Sequence, residues 1–320
     1  MRVLFLGTPE FSVPTLEAVA ARHQIVAVGT RPDKPRGRGR QVTASPVKEW
    51  ALRHGLPVQQ PPTLRSPEAQ EQLASTSPEV IVVVAYGLIL PAEVLSIPSR
   101  GCINVHASLL PRHRGAAPVA WAILSGDEVS GVTTILMDEG LDTGPILLQK
   151  EDTLDPRDTT PQVAARFAHL GAELLVETLD LWEAGDLEPA PQDNETATLA
   201  PSFKKQDGEI DWSQAAAQID RQVRALQPWP GTFTFVRGQR LRIWAAEVRS
   251  SGGEDLTAGV SALGPGSVVG SGPRGLFVVC GGGEVLQIEE VQLAGRKRQA
   301  VDDFLRGNVL AVGTRLGSEK

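Results

Sequence analysis

Residues 79–86 read EVIVVVAY, and six of them, Val80 through Ala85, are apolar without a break. Successive side chains on a strand point to opposite faces, so an unbroken apolar run must be covered on both sides. A sheet with one face in water would alternate. The run therefore demands a central strand sandwiched between layers, and its neighbours supply them. RVLFLG, QIVAVGT, CINVHAS and GVTTILM read as further strands rich in Val, Ile and Leu, while PTLEAVAARH, SPVKEWALRHG, SPEAQEQLAS and APVAWAILSGD carry apolar residues at helical spacing. Ser45 before Pro46 and Ser66 before Pro67 are helix starts, a capping hydroxyl followed by a residue with no N–H to leave unpaired. Strands alternating with helices give an α/β fold, here an N-terminal doubly wound, mostly parallel Rossmann-like sheet.

A long helical pattern, TPQVAARFAHLGAELLVETLDLWEAG, closes this first domain, expected over residues 1–184. Residues 185–206 are polar and Pro-rich without periodicity and are expected to be a linker. In the second domain, 207–313, a helix near SQAAAQIDRQVRAL precedes the short strands TFTFV, RLRIWAAEV, GSVVG, LFVVC and EVLQIEEV, separated by Gly-rich turns. That pattern predicts a small OB-like β-barrel. A length of 320 residues suits two domains.

The opening MRVLFLGTPEF is too short an apolar run for a signal peptide, and VIVVVAYGLILPA is too short for a membrane span and contains Pro91. Two distant cysteines, Cys102 and Cys280, form no pair motif, which fits a reducing cytoplasm. No membrane partner and a cytoplasmic, monomeric protein are expected. Residues 206–320 carry 13 basic and 13 acidic side chains, so the net charge of −7 falls on residues 1–205. A polyanionic partner must be met by local patches rather than by a general basic coat. Two such patches stand out. TRPDKPRGRGR holds Arg31, Lys34, Arg36, Arg38 and Arg40 against the single acid Asp33, and its prolines and glycines predict a loop without regular structure. GRKRQ holds Arg296, Lys297 and Arg298.

The chemistry is concentrated in NVHASLLPRHRGA, residues 104–116. Asn104 and His106 share one face of a strand end, and ligands in open parallel sheets bind beyond such ends. The following strand runs into DEGLDTG, where Asp142 lies between Gly140 and Gly144. If the strands are neighbours, an amide, an imidazole and a carboxylate converge. Such a trio suits acyl transfer from an amide-like donor to an amine: Asn104 and protonated His106 can stabilise the oxyanion, and Asp142 can relay the proton directly or through water.

The block CINVHASLLPRHRGAAPVAWAIL with GVTTILMDEGLDTGPILLQ resembles the folate-dependent formyltransferases, and LGTPEF, SPVK, VVVAYGLILP and QPWPGTF extend the resemblance over nearly the whole chain. It implies 10-formyltetrahydrofolate as formyl donor, no metal, and the amino group of initiator methionyl-tRNA as acceptor. It places the catalytic trio on Asn104, His106 and Asp142. Folate contacts are implied at Ser108, Leu109, Leu110 and Pro111, with Tyr86, Gly87 and Leu88 lining the pterin pocket. The loop with Arg36, Arg38 and Arg40 is implied to grip the tRNA acceptor arm, and the turn at Arg296, Lys297 and Arg298 to assist.

Other readings fit less well. GTPEFS after the first strand lacks the G-x-G-x-x-G turn of a dinucleotide enzyme. The five histidines are scattered, without metal-ligand spacing. A purely RNA-binding module leaves the phased trio unexplained. A formyltransferase or hydrolase acting on a small amine acceptor or on the donor alone shares the fold but has no need of the two basic patches.

Overall fold

The apolar run becomes an inner strand of a seven-stranded sheet. In this computed structural model, which describes residues 1–36, 41–249, 263–272 and 275–317, the first strands are β1 (Arg2–Gly7), β2 (Gln24–Gly29), β3 (Lys34–Arg36), β4 (Gln41–Thr43), β5 (Val58–Gln59), β6 (Val80–Val84), β7 (Cys102–His106), β8 (Val129–Leu136) and β9 (Ile146–Thr153). The sheet order is β5-β2-β1-β6-β7-β8-β9, and β3 and β4 form a separate two-stranded ribbon. Pairs from β5 through β7 are parallel, whereas β8 runs antiparallel to β7 and β9 antiparallel to β8. All five residues of β6 are buried, as the sequence requires.

Helices α1 (Val13–Arg22), α2 (Pro46–Arg53), α3 (Pro67–Ala74), α4 (Ala92–Leu95), α5 (Pro118–Ser125) and α6 (Thr160–Ala184) connect the strands. The expected starts of α2 and α3 are present: Ser45 Oγ accepts from Lys48 N at 3.1 Å and Ser66 Oγ from Ala69 N at 3.3 Å. One sheet face packs Leu4, Leu6, Ile81, Val83 and Cys102 with Leu73 of α3 and Val94 of α4. The other meets α6, where Gly171 allows close approach: a Cβ there would lie 2.8 Å from Val105 Cγ1. Asn104 and His106, in phase with Cys102, therefore project on the α3/α4 side.

The chain forms two compact units. Residues 185–206, expected as a linker, belong to the first unit as far as Pro201, because their backbone pairs with it. Ala190 exchanges hydrogen bonds with Ile146, and Arg114 with Thr198 and Ala200. The first 184 residues are also not one uninterrupted domain, since Ala120–Asp127 and Asp155–Pro161 cluster with the second unit. That unit holds α7 (Ala216–Ala225), β10 (Phe233–Val236), β11 (Gln239–Arg249), β12 (Val268–Gly272), β13 (Gly275–Val279), β14 (Val285–Leu293), β15 (Gln299–Ala300) and α8 (Val301–Gly307). Among the described residues six strands, rather than the expected five, make an antiparallel sheet in the order β10-β11-β14-β13-β12 with β15 beside β14. Ile219 and Val223 of α7 and Phe304 of α8 close its core. Among the described residues, no helix is long and apolar enough to cross a membrane.

Both cysteines are free and buried, and burial pushes each thiol up to about 12. A neutral thiol is a poor nucleophile. Native protein at about pH 8 is expected to leave both thiols unreacted toward a disulfide reagent over minutes, while protein unfolded in guanidinium titrates both. Fast labelling of the native chain contradicts this core.

Candidate active site

β7 brings Asn104 and His106 onto one face, and Asp142 follows the end of the neighbouring strand β8, which runs antiparallel to β7. β8 ends at Leu136, whose partner on β7 is Ile103, so the chain leaves at the beginning of β7. The expected convergence is reached across an antiparallel pair: the β8–β9 loop, residues 137–145, doubles back over β7. Asp138 organises that turn, its Oδ1 accepting from Gly140 N at 3.0 Å and Thr143 Oγ1 at 2.8 Å. Gly144 is obligatory, because a Cβ would sit 1.9 Å from the Leu136 carbonyl. Asp142 itself adopts a left-handed φ of 53°, a conformation that Asp tolerates better than most residues.

The Asp142 carboxylate then touches both predicted partners. Oδ1 accepts from Asn104 Nδ2 at 3.5 Å, and Oδ2 lies 3.6 Å from His106 Nδ1. Oδ2 also accepts the Gly115 N–H at 2.8 Å. His106 Nε2 donates to the His113 carbonyl at 2.9 Å. A carbonyl can only accept, so Nε2 carries a proton and Nδ1 is the nitrogen that faces Asp142. The His106 side chain is 6% exposed and that of Asp142 15%, so the pair is largely shielded from solvent.

The corner after β7 is held entirely from within. Ser108 O accepts from Thr133 Oγ1, Leu109 O from Arg112 N, Leu110 O from Gln149 Nε2, Pro111 O from Thr198 N and Arg112 O from Ser108 Oγ. Thr133 Oγ1 in turn accepts from Leu110 N at 3.1 Å. The corner residues expected to contact folate differ in exposure. Ser108 is 0% and Leu110 3% exposed, so their side chains form the base of the corner, and only Leu109 and Pro111 are half-buried at its surface. Tyr86 is likewise 1% exposed and packs among Leu4, Leu6 and Ile81. Burial pushes its hydroxyl up to about 12. Gly87 is exposed and Leu88 half-buried, so these two can line a pocket directly.

Of the basic loop, Arg38 and Arg40 lie outside the described residues, and Arg36 stands in β3, paired with Gln41 of β4. The loop thus contains a short ribbon where its prolines and glycines predicted none. Its base is fastened at Asp33, which accepts from Lys48 Nζ at 2.6 Å and Gln60 Nε2 at 2.8 Å. Those bonds hold the Asp33 carboxyl below its usual range. Arg296, Lys297 and Arg298 are exposed in the second unit. Arg298 pairs with Glu290 and lies 4.8 Å over the Trp244 ring. Among the described residues, no group of three or more His, Cys, Asp or Glu could hold a metal.

Sequence reasoning missed Arg114 and Gln192. Gln192 Nε2 donates to the carbonyls of Asp142 at 2.8 Å and Gly144 at 2.7 Å, and its Oε1 accepts from Arg114. Gln192 sits in a stretch with no periodicity, so only its crowding with Asp193 and Asn194 marked it as more than spacer.

A formyl transferase family model matches residues 1–179, and a model of the formyl transferase C-terminal domain matches residues 202–309. A protein of Geotalea daltonii named methionyl-tRNA formyltransferase is 48% identical over 318 residues, covering 99% of this chain and 98% of its own. A protein of the same name from Geotalea uraniireducens is 48% identical, covering 100% and 99%. Among solved structures, HypX from Aquifex aeolicus in complex with tetrahydrofolic acid superposes with a TM-score of 0.62 at 18% identity, over 95% of this chain and 47% of that one.

Gly115 is where corner and carboxylate meet. Its φ is +127°, and a Cβ would lie 2.7 Å from the Ala200 carbonyl. Gly115→Ala is expected to destabilise the chain by about 1–3 kcal/mol, seen as a lower denaturant midpoint. Gly307→Ala, at a helix position with open space around it, serves as the control and should be near neutral. Equal midpoints for the two variants would refute the close packing of residues 115 and 200.

Proposed function

The chain belongs to the formyl transferase family, and from that premise we propose that it moves the formyl group of 10-formyltetrahydrofolate onto the amino group of methionine on initiator methionyl-tRNA. The observation that carries the reading is the carboxylate of Asp142 within 3.6 Å of both Asn104 Nδ2 and His106 Nδ1. The close relatives bear the name of this activity, and a fold neighbour was solved with tetrahydrofolic acid.

The methionyl nitrogen attacks the formyl carbon, and the carbonyl oxygen takes up negative charge. Asn104 Nδ2 and protonated His106 Nδ1 are donors on rigid strand positions, and donors that do not have to reorganise favour a developing oxyanion. The new carbon–nitrogen bond leaves a proton on the attacking nitrogen. Asp142 accepts it, directly or through water, and returns it to the folate N10 as the old carbon–nitrogen bond breaks. No covalent enzyme intermediate is needed. The exposed Gly87 and half-buried Leu88, Leu109 and Pro111 offer the folate its apolar wall.

We assign the acceptor's phosphates to Arg36, Arg38 and Arg40, and to Arg296, Lys297 and Arg298 of the second unit. All three reacting groups come from one chain, which fits a monomer, and free thiols fit a reducing cytoplasm. The direct test supplies 10-formyltetrahydrofolate with charged initiator tRNA and looks for formylmethionine. Formylation only of small amino sugars, or release of formate alone, assigns the chain to another branch of the family.

Two variants probe the parts. His106→Ala is expected to lower kcat about 100- to 1000-fold, the usual effect of losing one oxyanion donor, with folate affinity nearly unchanged. Near-normal turnover removes His106 from the chemistry. Replacing Arg36, Arg38 and Arg40 together with Ala should weaken tRNA binding and flatten its dependence on salt, each lost phosphate contact lowering the logarithmic slope by about 0.7–0.9. An unaltered slope returns the loop to a solvated tip.

A further inference from the structure

We propose that Gln192, gripped by Arg114, is a positioning residue for the reaction, fixing the orientation of Asp142 through its backbone. The proposal rests on the reading of Asp142 as the proton acceptor. All four hydrogen-bonding positions of the Gln192 amide are used. Its nitrogen donates to the carbonyls of Asp142 and Gly144, at 2.8 and 2.7 Å. Its oxygen accepts from Arg114 Nε at 3.0 Å and Nη2 at 2.8 Å. Such a set fixes which end is oxygen. A flipped amide sets an oxygen against two carbonyls and an NH2 against a guanidinium, four contacts of the wrong sign.

Asp142 needs such a hold. Its φ of 53° is a sparsely populated conformation for a residue with a side chain, and such conformations persist where the surroundings over-determine them. The carboxylate is oriented from one side by Gly115 N, and the peptide that carries it is oriented from the other by Gln192. Arg114 ties the two together, being next to Gly115 in sequence and bonded to Gln192 through its side chain. Arg114 is itself buried and sends a further bond to Asn194 Oδ1 at 2.9 Å, so the grip is rigid. A rigid planar fork is what lysine cannot supply.

The decisive substitution is Gln192→Glu. It keeps size and shape and turns the Arg114 contact into an ion pair, so a residue that merely pins the 190–200 segment tolerates it. A residue that works through the 142 and 144 carbonyls does not, because a carboxylate oxygen replaces the donor. We expect kcat to fall about 100-fold, as for a reacting group displaced by about an ångström, with the folate Kd unchanged. In an Asp142→Asn background the same substitution should have almost no further effect on kcat, because both changes remove one function. Arg114→Lys, which keeps the charge and loses the fork, should give a smaller fall that also vanishes in that background, and it serves if Gln192→Glu does not fold. Full kcat in both variants, or equal losses with and without the Asp142 carboxylate, overturns the proposal. If the unaltered chain transfers no formyl group, the functional reading fails by itself. The amide resonances of residues 142–144 then decide: they should move in Gln192→Glu, and unmoved resonances overturn the positioning role.

Discussion

The hydrogen bond from His106 Nε2 to the carbonyl of His113 is the contact around which the rest of this site is arranged. An imidazole has two nitrogens, and occupying one with a fixed acceptor leaves the other with a defined direction and a defined role. The acceptor lies only seven residues further along the chain, so residues 107–112 must reverse direction completely. A reversal that tight leaves carbonyls pointing inward, and each needs a partner if it is to be buried. Thr133, Gln149, Thr198 and Ser108 provide them. His113 completes the turn with a left-handed φ of 61° and donates its own N–H to Thr198 Oγ1 at 2.8 Å. The orientation of one imidazole thus depends on β8, on β9 and on the 190–200 segment.

Because the corner is closed on itself, its stiffness comes from bonds already made before any ligand arrives. Asn104 and His106 are set by β7, Asp142 by a doubled-back hairpin loop, and Gly115 by the close approach of Ala200. Three stretches far apart in sequence, 104–115, the loop with Asp142 and the segment with Ala200, meet within a few ångströms, so the arrangement exists only when the first unit is fully folded. This favours preorganised chemistry over chemistry assembled by a mobile lid: donors already in place need not be ordered during the reaction.

What could be read from sequence follows from which forces leave a period. Apolar burial does, so β1, β2, β6, β7 and β8, helices α1, α2, α3, α5, α6 and α7, and the shared face of Asn104 and His106 are legible from alternation and spacing. Strand direction leaves none: nothing in GVTTILM tells that β8 runs against β7, and the true route of Asp142 was hidden with it. β9 was missed because ILLQKEDT, at the sheet edge, loses its apolar pattern halfway along. The 190–200 segment reads as a linker because it is held by backbone bonds and by Gln192 and Thr198 rather than by an apolar face. Polar tethering to an irregular corner has no repeat to detect. For the same reason residue identity alone does not tell the buried base of the corner, Ser108 and Leu110, from its surface, Leu109 and Pro111.

The charge distribution sets how an anionic acceptor could approach. Residues 1–205 carry the whole net charge of −7, and at physiological salt a surface charge is felt over only about 8 Å. Attraction to phosphate is therefore confined to the immediate surroundings of the basic clusters, while other orientations meet an acid-rich surface. Within the second cluster the three residues are not equivalent. Arg298 is already paired with Glu290 and stacked near Trp244, together with Arg242, whose guanidinium lies 3.8 Å over the same ring. Moving Arg298 onto a phosphate breaks an existing pair, so its net gain is smaller than its charge suggests. Arg296 and Lys297, exposed on the turn before β15, can meet a phosphate without that loss. In this arrangement Arg298 shapes the turn through Glu290 and Trp244, while Arg296 and Lys297 stand exposed beside it.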